Sequence, residues 1–257
     1  MGFLTDITST IRAGLAERPL GVDALEAAAA AMAPPRSLME ALRSRTPSVI
    51  AEIKRSSPSA GEIANPDPQE QARAYTQAGA VAISVLTEPE YFHGSLEDLR
   101  AVRAVTDLPL LRKDFLVDVS QVVQARAAGA DAILLITACL SDQELAEMLR
   151  ATARLGMEVL LETHASADLD RALTTDARII GVNARDLETL EVDHEAALAQ
   201  LRRIPSDRIA VMESGISTRG QVVAAVAAGA SGILIGEALM RAADPRRALR
   251  RLTGEEQ

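Results

Sequence analysis

The chain has 257 residues, with 27 Lys plus Arg against 36 Asp plus Glu, a formal net charge of -9, and 48% hydrophobic residues. That balance of apolar and charged residues excludes a disordered or fibrous chain, and at ~150 residues per domain the length admits one large domain or two small ones. The acidic excess speaks against a nucleic-acid surface, whose affinity comes mainly from neutralising phosphates.

The N-terminal stretch MGFLTDITSTIRAG lacks the apolar run of a secretory signal. Asp6 stands where N-myristoylation needs Ser or Thr. The apolar run AAAAAMA from Ala27 is far short of the ~18 residues needed to cross a bilayer. A cytoplasmic protein that does not enter membranes is expected. VDALEAAAAAMA and SLMEALRS predict two helices separated by Pro34-Pro35. Residues 1–45 lie outside the repeat that follows and are expected to pack over one end of it as a helical extension.

From there the chain repeats. AGAVAISVL from Ala78, AGADAILLI from Ala128 and AGASGILIG from Ala228 place Gly79, Gly129 and Gly229 at spacings of 50 and 100. Each glycine stands where a helix should stop, and each is followed by a run apolar on both faces. Such a run suits a strand covered on both sides, as in a parallel sheet flanked by helices. The spacing of 50 then corresponds to two strand–helix units of about 25 residues.

Taken in order, the predicted strands are VIAEIK from Val49, VAISVL from Val81, PLLRKDF from Pro109 and AILLIT from Ala132. EVLLET from Glu158, RIIGVNA from Arg178, RIAVMES from Arg208 and GILIGEA from Gly232 follow. Helical patterns such as DPQEQARAYTQAG, SQVVQARAAG and SDQELAEMLRATARLG lie between them. Eight alternations match the α/β class and a closed (β/α)8 TIM barrel, in one domain over residues 1–257 with the barrel at 48–252. An open doubly wound sheet fits less well, because no GxGxxG follows the first strand. The lone Cys139 is expected to be an inert core thiol, since a single cysteine cannot form an internal disulfide.

In a barrel the chemistry sits at the C-terminal ends of the strands. Side chains two apart share a strand face. Glu52 and Lys54 are in phase with Ile50, Lys113 with Leu111 and Phe115, and Glu162 with Leu160. Asn183 and Arg185 end the sixth strand, and Glu213 ends the seventh, followed by Ser214 and Gly215. Charged groups rarely face a barrel interior unless they are paired or used.

Lys54 and Lys113 are the only lysines among the 27 cationic residues, in a chain that otherwise uses arginine. Arginine cannot donate a proton at neutral pH, whereas burial can tune an ammonium. This favours chemistry for Lys113. For Lys54, phosphate binding competes, and either lysine could simply neutralise Glu52 or Asp114. Asn183 reads as a donor to substrate or as a local turn former, and Glu162 as a base or as the partner of a lysine. Asn65, the other asparagine, is a turn residue. The glycines of SGIS (Ser214 to Ser217) and IGEALMR (Ile235 to Arg241) lie in the loops that usually bind phosphate in barrels. His93, His164 and His194 show no ligand spacing, so no metal site is expected.

Taken together, AEIKRSSPSAG (Ala51 to Gly61), SVLTEPEYFHGS (Ser84 to Ser95), LPLLRKDF (Leu108 to Phe115) and GADAILLI (Gly129 to Ile136) resemble the indole-3-glycerol phosphate synthases. LLETH (Leu160 to His164), GVNARDL (Gly181 to Leu187) and MESGIST (Met212 to Thr218) extend the resemblance over nearly the whole chain, including the helical extension. Ala60, where that family often has Lys, and His93, where Gln is common, depart from it at loop positions.

The resemblance implies ring closure of 1-(2-carboxyphenylamino)-1-deoxyribulose 5-phosphate to indole-3-glycerol phosphate, with loss of CO2 and water and no cofactor. It implies Lys113 as general acid, Glu162 as general base, Lys54 as second acid or carboxylate clamp, and Glu52 and Asn183 beside them. It implies Ser57, Phe115, Arg185, Glu213 and Ser214 on the substrate, and Lys54, Gly215, Gly236 and Glu237 on its phosphate. The phosphorylated small molecule is the expected partner, and a monomer the expected state. Two alternatives are a barrel that uses Lys113 or Lys54 as a Schiff-base nucleophile on a sugar phosphate, and a barrel that only binds a phosphorylated ligand.

Overall fold

Three helices precede the first strand: α1 (Phe3–Glu17), α2 (Val22–Ala30) and α3 (Leu38–Arg43). In the computed structural model, which describes residues 2–255, strand and helix then alternate along the rest of the chain. The strands are β1 (Ser48–Ile53), β2 (Ala82–Leu86), β3 (Leu110–Lys113), β4 (Ala132–Ile136), β5 (Glu158–Thr163), β6 (Ile179–Asn183), β7 (Ile209–Glu213) and β8 (Gly232–Ile235). Each pairs in parallel with its neighbour in sequence, and β8 pairs with β1 through Gly232 and Ser48, so the sheet closes into a barrel. The helices between and after them are α4 (Pro68–Gln77), α5 (Leu96–Arg103), α6 (Val119–Ala127), α7 (Asp142–Arg154), α8 (Ser166–Leu173), α9 (His194–Leu201), α10 (Arg219–Ala227), α11 (Glu237–Met240) and α12 (Pro245–Thr253). Among the described residues no helix is long and apolar enough to cross a membrane.

The repeated glycines act as the sequence pattern predicts. Gly79, Gly129 and Gly229 take φ values of +91°, +96° and +107°, which let the chain leave a helix and turn into the next strand. The helix starts are equally local. Asp67, Ser95 and Thr218 accept backbone N–H bonds as N-caps, and Asp118 with Gln121 and Ser141 with Glu144 form reciprocal capping boxes.

Two apolar layers result. Ile50, Leu111, Leu134, Leu160, Ile179, Val211 and Leu234 point inward and fill the barrel. Val49, Val85, Ile133, Leu161, Ile180 and Ile233 point outward and pack beneath the surrounding helices. The strands therefore read as apolar on both faces, because both faces are covered. Burial of each such side chain stabilises the fold by about 1.5–3 kcal/mol.

The extension departs from the sequence reading in two ways. Residues 3–17 form a helix that the pattern leaves unassigned, and the extension reaches both barrel ends rather than one. At the C-terminal ends of the strands, the Phe3 ring meets Tyr91 and Phe115 edge-on at 5.1 and 6.0 Å, and the Leu4 N–H donates to Glu188 at 3.2 Å. α2 then runs outside the barrel along α6. At the opposite end, the Ser37 hydroxyl and the Met39 N–H both donate to Glu158 at 2.8 Å, where β5 begins. Leu42 fills the space that a Cβ on Gly232 would need. Apolar periodicity gives each of these helices a buried face but does not say which surface it meets, so the division could not be read locally. A short antiparallel pairing of Ser56–Ser57 with Gly61–Glu62, in the loop after β1, is a further unforeseen element.

Candidate active site

The inward rows of the strands end in charge. On β1 the row runs Ile50, Glu52, Lys54, and Lys54 Nζ lies 3.1 Å from Glu52 Oε1. On β3 it runs Leu111, Lys113, and on β5 Leu160, Glu162. Lys113 Nζ donates to Glu162 Oε2 at 2.7 Å and stands 3.3 Å from Glu213 Oε2, an ion-pair distance at which neither Glu213 oxygen is aligned for a hydrogen bond. Asp114 faces the other way and pairs with Arg112 at 2.9 Å. Lys54 thus neutralises its neighbour Glu52 and Glu162 is the partner of a lysine, both as the sequence allowed, whereas Lys113 does not pair with Asp114 and is shared between Glu162 and Glu213.

Asn183 closes the group. Its Oδ1 accepts the Arg185 N–H at 3.0 Å, so its amide donates through Nδ2 to Glu162 Oε1, also at 3.0 Å. Both Glu162 oxygens are thus bonded, and the residue is 2% exposed. Behind this face, Arg112 donates to Thr87 and Asp114 at 3.0 and 2.9 Å, and Asp114 accepts the Phe115 N–H at 2.8 Å. That buried network fixes the end of β3 with Lys113 and Phe115 turned inward.

The charges shape the titration of the group. Burial alone would push the Lys113 ammonium down, but Glu162, Glu213 and Glu52 outweigh it and hold it above the ordinary lysine range. Burial would raise Glu162, yet the charge and hydrogen bond of Lys113, together with the Asn183 amide, hold its carboxyl below the ordinary range. Glu213 goes the other way. Burial, with the charges of Glu162 and Glu52, outweighs Lys113 and pushes it up to about 8.

Above these groups opens a cavity of 390 Å³. Its lining brings together every residue that the resemblance assigns to the site: Glu52, Lys54, Ser57, Lys113, Phe115, Glu162, Asn183, Arg185, Glu213, Ser214, Gly215, Gly236 and Glu237. The volume is of the size that holds a small organic ligand. Ser214 and Gly215 take φ values of +66° and +71°, so the chain after β7 turns sharply at the cavity wall. Gly236 has a use besides phosphate, because a Cβ there would strike the Glu52 carboxylate. The Glu237 carboxylate is tied to Arg241 at 2.9 Å, and only its backbone N–H suits an anion.

Phe3, Phe92, Ser59, Ser217 and Arg241 also line the cavity and were not singled out. Phe92 lies inside the SVLTEPEYFHGS motif and could have been found there. Phe3 lies in a segment with no motif, and only tertiary packing brings it over the site.

The remaining candidates fall elsewhere. His164 Nδ1 lies 2.9 Å from the Asn183 carbonyl oxygen, His194 Nε2 contacts Gln221 at 3.1 Å, and His93 sits in a loop at φ +52°. Among the described residues no group of His, Cys, Asp and Glu is arranged to hold a metal ion. Cys139 is not in the core as expected but half-buried in the turn after β4, and burial pushes its thiol up to about 12, so it stays a thiol.

Comparison with known proteins supplies relatives along nearly the whole chain. The family model described as indole-3-glycerol phosphate synthase matches residues 4–252. The indole-3-glycerol phosphate synthase of a Nocardioides species is 48% identical over 260 residues, covering 100% of both chains. That of Mycobacterium avium is 48% identical over 249 residues, covering 96% of this chain and 92% of its own. Among solved structures, 3-hexulose-6-phosphate synthase from Salmonella typhimurium superposes with a TM-score of 0.65 at 12% identity, over 80% of this chain and 97% of its own. At that identity the likeness concerns the barrel fold alone.

Proposed function

The chain belongs to the indole-3-glycerol phosphate synthase family, and from that premise we propose how its residues carry out the reaction. It is a decarboxylating lyase of tryptophan biosynthesis that converts 1-(2-carboxyphenylamino)-1-deoxyribulose 5-phosphate to indole-3-glycerol phosphate.

The anthranilate ring carbon attacks the ribulose C2 carbonyl, and Lys113 protonates the oxygen as it gains charge. The observation that carries this assignment is the ammonium held at 2.7 Å from Glu162 at the buried end of the cavity. Loss of CO2 restores the aromatic ring, so the dearomatised intermediate drives its own decarboxylation and no cofactor is called for. The C2 hydroxyl then leaves as water, with Glu162 accepting a proton and Lys54 acting as second acid or clamping the substrate carboxylate. Glu52, 3.1 Å from Lys54, positions that lysine, and Asn183 orients Glu162. Ser57, Phe115, Arg185, Glu213 and Ser214 contact the substrate, and Lys54 with the backbone at Gly215, Gly236 and Glu237 receives its phosphate. Residues 1–257 form one barrel domain, with 1–45 as its extension. The cavity is lined by residues of a single chain, which supports a monomer.

A Schiff-base mechanism is disfavoured by the same geometry. An ammonium held protonated between two glutamates is a poor nucleophile. The test is a fluorescence assay for indole product with purified protein and the carboxyphenylamino sugar phosphate. Product formation without a borohydride-trapped adduct supports the proposal, and absence of product would sink it.

A further inference from the structure

Three carboxyl groups and two ammonium groups share the floor of the cavity. Lys54 holds Glu52 at 3.1 Å and Lys113 holds Glu162 at 2.7 Å, which leaves Glu213 as the odd member. It is 1% exposed, and neither of its oxygens has a hydrogen-bond partner. Its approach to Lys113, at 3.3 Å, is to an ammonium already bonded elsewhere. β6 makes room for it at Gly181, where a Cβ would run into Glu213 Oε1. The charged groups that act on it are Lys113 from β3, Glu162 from β5 and Glu52 from β1. β6 contributes only the uncharged Gly181 and Asn183.

An ionised carboxylate can accept several hydrogen bonds and is costly to bury without them, whereas a neutral carboxylic acid needs far fewer.

We propose that Glu213 is a neutral carboxylic acid in the resting enzyme and a positioning residue for Lys113, leaving the ammonium one anionic partner instead of two. This rests on reading Lys113 as the acid of the ring closure. An ammonium between two anions gives up its proton poorly, because the neutral amine would stand among uncompensated negative charge. With Glu213 protonated, Lys113 faces one close carboxylate and is the stronger acid. Glu213 keeps its proton through the cycle, so no transfer is routed through it. The upward titration of Glu213, to about 8, agrees with this state and places its loss in mildly alkaline solution.

Two measurements on the full chain test the proposal. In pH-difference infrared spectra of the ligand-free protein, a protonated-carboxyl C=O band is expected at pH 7. It should disappear in alkaline solution and be missing from Glu213→Gln. Should that variant fail to fold, Glu213→Asp, whose acid has its own band position, assigns the band. No such band at pH 7 would overturn the proposal.

In kinetics, kcat of the wild type should fall by about tenfold per pH unit above the Glu213 titration. Gln cannot ionise, so the ratio of Glu213→Gln to wild-type kcat should rise by about tenfold between pH 7 and 9. A ratio that stays constant with pH would count against the proposal. The infrared band is read without substrate and so decides the state of Glu213 even if no indole product forms, an outcome that would instead sink the functional reading.

Discussion

Lys113 Nζ and Glu162 Oε2 stand 2.7 Å apart although they end alternate strands, β3 and β5. The strand between them ends in apolar Ile136, so the two charged groups meet across the barrel interior and not along one sheet edge. The pair can therefore reach one substrate from two directions, with the two side chains held together by a single hydrogen bond.

Replacing Lys113 by Arg should leave the barrel folded and abolish nearly all turnover. Arginine keeps the charge opposite Glu162 but is too weak an acid to replace an ammonium. Steady-state kinetics check this. A variant that retains a tenth of wild-type kcat, about 1.4 kcal/mol of barrier, would show that Lys113 is not the acid.

Lys113 and Glu162 should fail at different stages. Lys113→Ala is expected to leave the substrate intact even in a single turnover. Glu162→Gln keeps the shape and one hydrogen bond but cannot accept a proton, so it should slow dehydration more than CO2 release. Quenched-flow measurement of CO2 and indole product separates the two. Equal slowing of both products in Glu162→Gln, with no decarboxylated species accumulating, would speak for a purely electrostatic role.

Leu42 seals the N-terminal end of the barrel and is 1% exposed. Leu42→Ala should cost about 2–5 kcal/mol of stability, because Gly232 beneath it has no side chain to fill the hole. Urea unfolding should show the loss while kcat below the unfolding range stays near wild type. Loss of activity with unchanged stability would mean that the extension acts on the site and not on the fold.

Stability should depend on pH with opposite signs from two glutamates. Glu213 titrates higher in the folded protein than in the unfolded chain, so the native state holds the extra proton and its contribution is lost as pH rises from about 4.5 toward 8. Glu162, Asp98 and Asp186 titrate lower when folded, so their contributions are present above the unfolded carboxylate range and are lost in acid. Glu213→Gln should therefore raise stability relative to wild type more at pH 8 than at pH 5. Chemical denaturation at the two pH values checks the sign, and an equal change at both would refute it.

Much of this molecule is legible because its instructions are local. Gly79, Gly129 and Gly229 end helices by their own backbone freedom, and strand alternation decides which side chains face inward before any strand has a partner. Glu52, Lys113, Glu162 and Glu213 could accordingly be placed on one inner surface at one barrel end, and the motifs around them carry the resemblance to a family.

Partner choice lies outside that reach. The sequence offers Lys113 the adjacent Asp114 or the distant Glu162 without deciding between them, and barrel closure turns Asp114 outward to Arg112 and brings Glu162, with Glu213, to the lysine. The same closure leaves Glu213 without a hydrogen-bond donor and gives it room against Gly181. The extension obeys the same division. The proline pair and apolar spacing predict its later helices, but an amphipathic helix specifies a buried face and not the surface it meets. Only the assembled barrel, with one end open around Phe115 and the other exposing Gly232 and Glu158, decides that Phe3 packs at the first and Leu42 at the second.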